Sequence, residues 1–356
     1  SAGIYLTTGS TFWTLDNNHL YHTNPYTLTT SGTTKYEIYI GNTAGNGFQV
    51  TNNVIGYASP TATGVYSITG TTQYSYIYPL YLSVGAAIPS SVQGNTISNI
   101  TQSITTAGYY GYIYCMYLSA GSINVGNITP NIIGAATGTG AITINNNSTI
   151  SPALYGIYAP AAAPGVLNIQ NNIIGSLQTS VYTPASYGAG IYGIYLASTA
   201  SSTVSGNTIG STTTANSIYA SSASATTQNV YGIIATVAST AVVQPVISNN
   251  TIANITNAGA STVGLTAGLV FNSTSVGTIT GNSIYNITGN ATLTTATPQP
   301  SVAGIVFSGG STTATANISQ NTIYTIANNN TSAITTHVAG IAYSTAVNGT
   351  ISRNKI

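Results

Sequence analysis

Short apolar segments alternate with polar linkers along the whole chain, and three of them recur in every stretch of about 37 residues. Residues 246–250, 251–255 and 268–271 make up one such set. Within each segment apolar and polar residues alternate and β-branched residues dominate, whereas no stretch has the 3.6-residue period of a helix. The pattern therefore predicts three short β-strands in each repeat.

A column of asparagines marks the repeat most clearly. Each is followed two residues later by an aliphatic residue, and neighbours along the chain are 32 to 43 residues apart. If equivalent residues of successive turns lie above one another, these side chains can donate and accept at once, forming a ladder that pairs the backbone of a tight turn. Asparagine also tolerates the unusual φ of such a turn. The predicted ladder consists of Asn18, Asn53, Asn95, Asn131, Asn172, Asn207, Asn250, Asn282, Asn321 and Asn354.

A second column keeps the same period, with a small residue before an aliphatic one, as at Gly156 and Gly193. We expect this glycine to allow a close backbone approach, and the aliphatic follower of each asparagine, such as Ile252 or Ile284, to point inward. Two columns with one period indicate a solenoid. The prediction is an all-β parallel β-helix of about nine coils, with three short strands per coil. We expect one continuous array over residues 1–356, irregular over 1–60 and most regular over 232–356.

Charge is almost absent from this chain. Only 1% of the residues are charged, against about a quarter in ordinary globular proteins. In an in-register stack, like charges in one column would lie about 5 Å apart and repel one another, which gives one reason to avoid them. The 43% of hydrophobic residues and the 27 tyrosines argue against disorder. The absence of a basic patch argues against nucleic-acid binding, and no apolar run is long enough to predict a membrane span.

The sequence correspondingly contains few candidate catalytic residues. Many parallel β-helices cleave polysaccharides with clustered carboxylates, but this chain has only Asp16 and Glu37, which we expect to be surface residues. Asp16, His19 and His22 could be imagined as metal ligands, although two histidines three apart face opposite sides of a strand, so exposed turn residues are the better interpretation. Cys115 occupies the glycine column, where a small buried residue fits. We expect no catalytic, cofactor-binding or metal-binding residues.

Tyrosines follow the aliphatic residue of the glycine column in the first part of the chain. Alternation places them outward, where they could stack on sugar rings or meet another protein surface. The alternative is that the rings stack on one another and only stabilise the face. The column ends in Ile234, Val270, Val306 and Ala342. The predicted outward stripe consists of Tyr39, Tyr81, Tyr117, Tyr158 and Tyr195, preceded by Tyr5.

The repeat Ile-Ser-Asn-Asn-Thr-Ile at residues 247–252 resembles the right-handed parallel β-helix superfamily, and this resemblance implies that the coil is right-handed. The segments Phe-Trp-Thr-Leu-Asp-Asn-Asn-His-Leu-Tyr-His-Thr at 12–23 and Gly-Phe-Gln-Val-Thr-Asn-Asn-Val-Ile-Gly at 47–56 resemble more narrowly large, low-charge secreted repeat proteins of Gram-negative bacteria, exported by the type IX system. This resemblance implies export to the cell surface. It also implies that the chain is a piece of a longer protein, because the C-terminal sorting domain of such proteins is not in the sequence.

These observations predict a non-enzymatic structural or adhesive segment of a secreted, surface-associated or extracellular fibre protein. The alternative is a carbohydrate-binding or polysaccharide-degrading β-helix. The expected partners are other copies, adjoining repeats of the same protein, or surface glycans, with neither nucleic acid nor a membrane span.

Overall fold

Every element of the described chain is a β-strand, and all strand pairs are parallel. The structure is a computed structural model, which describes residues 2–29, 33–70, 74–160, 165–181, 186–197, 201–224, 226–236, 245–259, 264–272, 277–291, 300–308, 315–331, 336–343 and 348–356. Within these ranges the strands form three sheets, and each turn of the chain contributes to all three.

Sheet A contains the glycine and tyrosine columns. Each of its strands pairs with the equivalent strand one repeat later. Its ten strands are Ala2–Leu6, Thr33–Asn42, Ser75–Val84, Gly111–Ala120, Ala153–Ala159, Gly190–Leu196, Val230–Ala235, Thr266–Phe271, Val302–Phe307 and Val338–Tyr343.

Sheet B precedes the ladder asparagines in each repeat. Its ten strands are Thr14–Asp16, Gln49–Thr51, Ser90–Gln93, Ile123–Val125, Val166–Gln170, Ser201–Ser205, Val246–Ser248, Gly277–Thr280, Thr315–Ser319 and Asn348–Ser352.

Sheet C follows the ladder asparagines and has two arms. The first arm contains His19–Leu20, Val54–Gly56, Thr96–Ser98, Ile132–Gly134, Ile173–Gly175 and Thr208–Gly210. The second contains Tyr26–Leu28, Tyr66–Gly70, Ile100–Ile104, Ile142–Asn146, Leu177–Val181 and Ile218–Ala220. In later repeats one strand spans both arms, in Thr251–Asn257, Ser283–Gly289 and Thr322–Asn328.

One continuous apolar core fills the space between the sheets. The aliphatic followers of the ladder asparagines stack in register through it, and none of those named here is more than 1% exposed. They are Ile97, Ile133, Ile174, Ile209, Ile252, Ile284 and Ile323. The predicted inward position of these residues is confirmed.

The asparagine ladder is also confirmed. Each Nδ2 donates to the Oδ1 of the next rung at 2.8 to 3.0 Å, from Asn18 through to Asn354. The same Oδ1 usually accepts the backbone N–H of the preceding rung as well, as Asn207 does from Asn172 at 2.9 Å. Nδ2 also donates to a carbonyl of the previous turn, as Asn207 does to Ile169 at 2.9 Å. These side chains thus supply hydrogen-bond partners for the backbone N–H and carbonyl groups of the turn.

One detail of the turn differs from expectation. The left-handed φ falls on the residue before the ladder asparagine, not on the asparagine itself, with values of 54° to 67°. Asparagine and glycine supply most of these positions because both tolerate that conformation. They are Asn17, Asn52, Gly94, Asn171, Gly206, Asn249, Gly281, Gln320 and Arg353.

The glycine column of sheet A exists because the ladder's isoleucines pack against it. A Cβ on Gly193 would lie 2.6 Å from Cγ2 of Ile209, and one on Gly268 would lie 2.4 Å from Cγ2 of Ile284. Neither distance is compatible with an ordinary contact, and a Cβ on Gly193 would also lie 2.5 Å from the carbonyl oxygen of Gly232, so these positions favour glycine. The two sequence columns are therefore the two sides of one contact.

The architecture is a parallel β-solenoid of about eight turns of about 37 residues, close to the nine turns expected. The predicted fold class is therefore confirmed, while the right hand of the coil stays a prediction.

Candidate functional site

The predicted tyrosine stripe lies on the outer face of sheet A. Consecutive members are register partners, so they form a file along the solenoid axis, which we call the first tyrosine file. Their strand neighbours, such as Ile38 and Ile40 beside Tyr39, are fully buried, whereas the rings from Tyr39 onward are half-buried. The members of this file are Tyr5, Tyr39, Tyr81, Tyr117, Tyr158 and Tyr195.

A second tyrosine file runs beside the first, and the sequence analysis missed it. Its members precede those of the first file by three residues and are also stacked from turn to turn. The signal was present as a Tyr-x-x-Tyr spacing in five consecutive repeats. The second file consists of Tyr36, Tyr78, Tyr114, Tyr155, Tyr192 and Tyr231, and the two files together form what we call the tyrosine face.

A break in strand alternation explains why both files face outward. Residues three apart on a regular strand point to opposite sides. In sheet A, however, two consecutive residues point inward, as Cys115 and Met116 do between Tyr114 and Tyr117. One of these two positions is the glycine column, which lies against the ladder's isoleucines. Cys115 is fully buried there as expected, and burial raises the pKa of its thiol.

Within each file most neighbouring rings stack face to face. Tyr117–Tyr158 and Tyr158–Tyr195 are tilted by 37° and 34°, and Tyr192–Tyr231 meet edge to face at 66°. Along the first file, Tyr39 and Tyr81 have ring centroids 4.9 Å apart with planes 8° apart. Along the second, Tyr114 and Tyr155 are 4.7 Å apart with planes 5° apart. These contacts cover both faces of the interior rings and leave edges and hydroxyl groups on the outside.

Between the files the rings meet edge to face. A second-file ring contacts the first-file ring of the next turn in four successive places. The ring centroids are 5.0 to 5.7 Å apart and the ring planes are inclined by 65° to 79°. The four pairs are Tyr36–Tyr81, Tyr78–Tyr117, Tyr114–Tyr158 and Tyr155–Tyr195. Both stacked and edge-to-face arrangements are favourable for aromatic rings, so the face stabilises itself.

This geometry bears on the two interpretations of the stripe. A sugar stacks on the exposed face of an aromatic ring, and interior rings of the tyrosine face offer none. Mutual stacking that stabilises the face therefore explains the rings better than a stacking platform does. What remains available to a partner is a regular array of ring edges and phenol hydroxyls.

Several phenols of the tyrosine face stay uncharged far beyond neutral pH. Burial raises the pKa of Tyr36, Tyr117 and Tyr192 to about 12, with neighbouring tyrosines as a further cause. Burial also raises the pKa of Tyr39 and Tyr158. The phenols consequently stay protonated, as donors and acceptors of hydrogen bonds.

The outer face of sheet A changes character after the last tyrosines. Ile234, Val270 and Val306 continue the first file and Ala267 and Ala303 continue the second. All five are buried, and with Tyr231 they form an apolar cluster separate from the main core. On the outer face of sheet A, the accessible tyrosines are thus confined to the first six strands.

The expectation that Glu37 is a surface residue is wrong. Glu37 is 2% exposed and Lys35 is 5% exposed, because both point into the solenoid. Glu37 Oε1 lies 3.4 Å from Lys35 Nζ and 3.2 Å from His22 Nε2. The imidazole of His22 stacks on Tyr66 with ring centroids 4.3 Å apart, so His22 is not a simple exposed turn residue either.

His19 lines the same cavity as His22, Lys35 and Glu37, whereas Asp16 does not. Asp16 is exposed, as expected, and its Oδ1 accepts hydrogen bonds from Thr51 at 2.6 Å and Asn52 at 2.9 Å. These bonds hold the pKa of Asp16 below its usual value. His19 Nδ1 contacts the carbonyl of Pro60 at 2.8 Å. Asp16 and Glu37 thus bind different partners and do not form an acid pair.

Across the described ranges, no three or more His, Cys, Asp or Glu residues form a group that could hold a metal ion. No helix in that part of the chain is long and apolar enough to cross a membrane.

The fold and the face place this chain among parallel β-solenoids with an internal asparagine ladder and an aromatic outer face. Comparisons with known protein families, with curated proteins and with solved structures found no match.

Proposed function

We propose that this chain is a non-enzymatic structural segment of a secreted protein, which serves in a surface adhesin, sheath or extracellular fibre. The observation that carries the proposal is the unbroken asparagine ladder, whose ten rungs link successive turns by hydrogen bonds that are buried except at its two ends. An array in which every repeat holds its neighbours makes a stiff rod. At one strand spacing per repeat, that rod is about 45 Å long.

The arrangement of the few charged groups supports the non-enzymatic part of the proposal. Glycoside hydrolysis uses two carboxylates on either side of the bond to be cleaved. Here the buried Glu37 is engaged by Lys35 and His22, while Asp16 lies outside and is bonded to Thr51 and Asn52.

Secretion and export by the type IX system rest on the resemblance of residues 12–23 and 47–56. Self-association is supported by the formal net charge of +1, because proteins near zero net charge repel one another weakly.

Immunogold labelling of intact native cells tests the proposal. An antibody raised against the purified chain should decorate the cell surface or extracellular filaments, and the purified chain should release no product from a panel of polysaccharides. Labelling confined to the cytoplasm would contradict the extracellular role. Product release that is lost in Glu37→Gln would contradict the non-enzymatic role.

A second candidate function is binding of surface glycans through the hydroxyl groups of the tyrosine face. The observation in its favour is the regular array of uncharged, half-buried phenols in adjacent files. A glycan array probed with wild type, Tyr117→Phe and Tyr158→Phe tests it, because these changes remove one oxygen and keep the ring. Tyr285→Phe on sheet C is the matched control. Unchanged binding in the two sheet A variants would remove the tyrosine face as the site.

A further inference from the structure

The tyrosine face brings phenol rings together in a way that also bears on their covalent chemistry. Two tyrosines can be joined by a carbon–carbon bond between ring carbons next to the hydroxyl. That bond lies in the plane of both rings, so coupling requires ring edges to meet. The orientation of each ring pair therefore matters as much as its centroid distance.

Stacked pairs within a file are close but badly oriented for this bond, whereas Tyr192 and Tyr231 at the end of the second file meet edge to face at 66°. Tyr78 and Tyr114 lie 5.1 Å apart with planes 6° apart, so each presents its face to the other. Both rings would have to turn out of the stack before their edges could meet.

Pairs between the files are oriented better. Tyr78 directs its ring against Tyr117 of the next turn at 5.2 Å and 79°, and Tyr114 meets Tyr158 at 5.0 Å and 65°. One ring of each pair already presents an edge, so only the other has to turn. All four rings are half-buried, so each remains partly exposed to solvent and to an oxidising enzyme.

We propose that the tyrosine face is a site of oxidative cross-linking, in which second-file and first-file tyrosines are joined as dityrosine. The pairs comprise those of successive turns and also those of one strand, where Tyr114 meets Tyr117 at 5.3 Å and 78°. The co-reactant is hydrogen peroxide used by a haem peroxidase. This proposal does not depend on the extracellular role proposed above.

The reaction balances as follows. Each phenol gives up one electron and its hydroxyl proton to become a tyrosyl radical. Two radicals pair their electrons in a bond between the carbons next to the oxygens, and the hydrogens on those carbons move to the oxygens, which restores both phenols. The pair has then lost two electrons and two protons, which reduce one hydrogen peroxide to two molecules of water.

The fold makes the coupling intramolecular. Register holds the partner ring at about 5 Å for every molecule, so a radical formed on one ring has a neighbour at high effective concentration. Each bond between turns would fasten one repeat to the next outside the ladder.

The test treats the dilute full chain with a haem peroxidase and limiting hydrogen peroxide. We expect monomers with dityrosine fluorescence, an intact mass lower by two hydrogens per bond, and peptides after proteolysis that join Tyr78 to Tyr117 and Tyr114 to Tyr158. Thermal unfolding should shift to higher temperature.

Two variants and one control make the test specific. Tyr117→Phe and Tyr158→Phe keep the ring packing and should each abolish the corresponding link, whereas Tyr285→Phe should leave both links unchanged, since Tyr285 stacks face to face on Tyr324 at 4.8 Å and 4°. The proposal is overturned if monomers contain no dityrosine, if links within a file or between Tyr285 and Tyr324 predominate, or if the link pattern equals that of the chain oxidised in denaturant.

Discussion

Replacement of Asn207 by alanine removes five hydrogen bonds from the middle of the asparagine ladder: a longer one to the carbonyl of Ser205 at 3.2 Å, and four of 3.0 Å or less. The amide donates to Asn250 Oδ1 and to the carbonyl of Ile169, both at 2.9 Å. It accepts from the backbone N–H of Asn172 at 2.9 Å and from Asn172 Nδ2 at 3.0 Å. All groups of the four shorter bonds are buried, so their former partners lose their bonds without gaining water.

The expected cost is about 4 kcal/mol of unfolding free energy, since each of the four shorter bonds contributes about 1 kcal/mol net. It would be larger if the abandoned groups find no new partners, because an unpaired buried polar group costs about 1 to 3 kcal/mol. In a repeat protein this loss should be concentrated in the turns that adjoin the missing rung.

Guanidinium unfolding followed by far-ultraviolet circular dichroism measures the cost, and hydrogen exchange locates it. Asn168→Ala is the matched control, because Asn168 is a half-buried asparagine on the outer face of sheet B with one side-chain bond, to Asn124 at 2.7 Å. That variant should lose about 1 kcal/mol or less. Equal losses in the two variants would refute the view that the ladder holds the turns together.

Three further changes probe other parts of the molecule. Gly193→Ala places a Cβ 2.6 Å from Ile209 Cγ2 and should destabilise the folded protein by about 1 to 3 kcal/mol, which would lower the midpoint of thermal unfolding. An unchanged midpoint would contradict the explanation that the glycine column allows a close approach. Glu37→Gln leaves Lys35 without its buried counter-charge and should lower the free energy of unfolding by about 3 to 5 kcal/mol. The double change Lys35→Met with Glu37→Gly should be close to neutral in the same denaturation assay, and equal losses in the two variants would argue against a buried ion pair. Stability should vary little between about pH 4 and about pH 9 and fall from about pH 10 upward. Burial raises the folded-state pKa of Tyr36, Tyr117 and Tyr192 to about 12, so above about pH 10 these phenols ionise in the unfolded chain before they do in the folded protein. An alkaline transition with the same midpoint in a triple Phe variant of these tyrosines would show that other groups cause it.

The fold could be predicted because equivalent positions of successive repeats carry nearly identical residues. Ile252 and Ile284 follow their asparagines at the same distance, and that repetition is sufficient to predict stacking in register. The position of the left-handed residue was harder, because Gln320 and Arg353 carry this φ without any sequence preference for it.

The tyrosine face was only half predicted. Strict alternation assigns Tyr36 to the inside once Tyr39 is placed outside, and only the pair of inward residues between them reverses this. Ring orientation could not be predicted at all, since it depends on rings of other turns. The buried position of Glu37 could have been inferred from its place in the glycine column, which faces inward. Carboxylates are usually exposed to water, however, and this general preference led to the wrong expectation of a surface position.

The ladder has a consequence for how such a chain can vary. Asn207 and Asn250 are 43 residues apart and Asn250 and Asn282 are 32 apart, yet both pairs are joined at 2.9 Å. The connecting segments therefore absorb insertions and deletions without any displacement of a rung. A whole repeat could be duplicated or removed, and foreign peptides could be inserted into a connection, with every remaining asparagine still paired. Rod length and loop content can thus be altered independently, which makes this chain a suitable scaffold for displaying peptides at regular intervals.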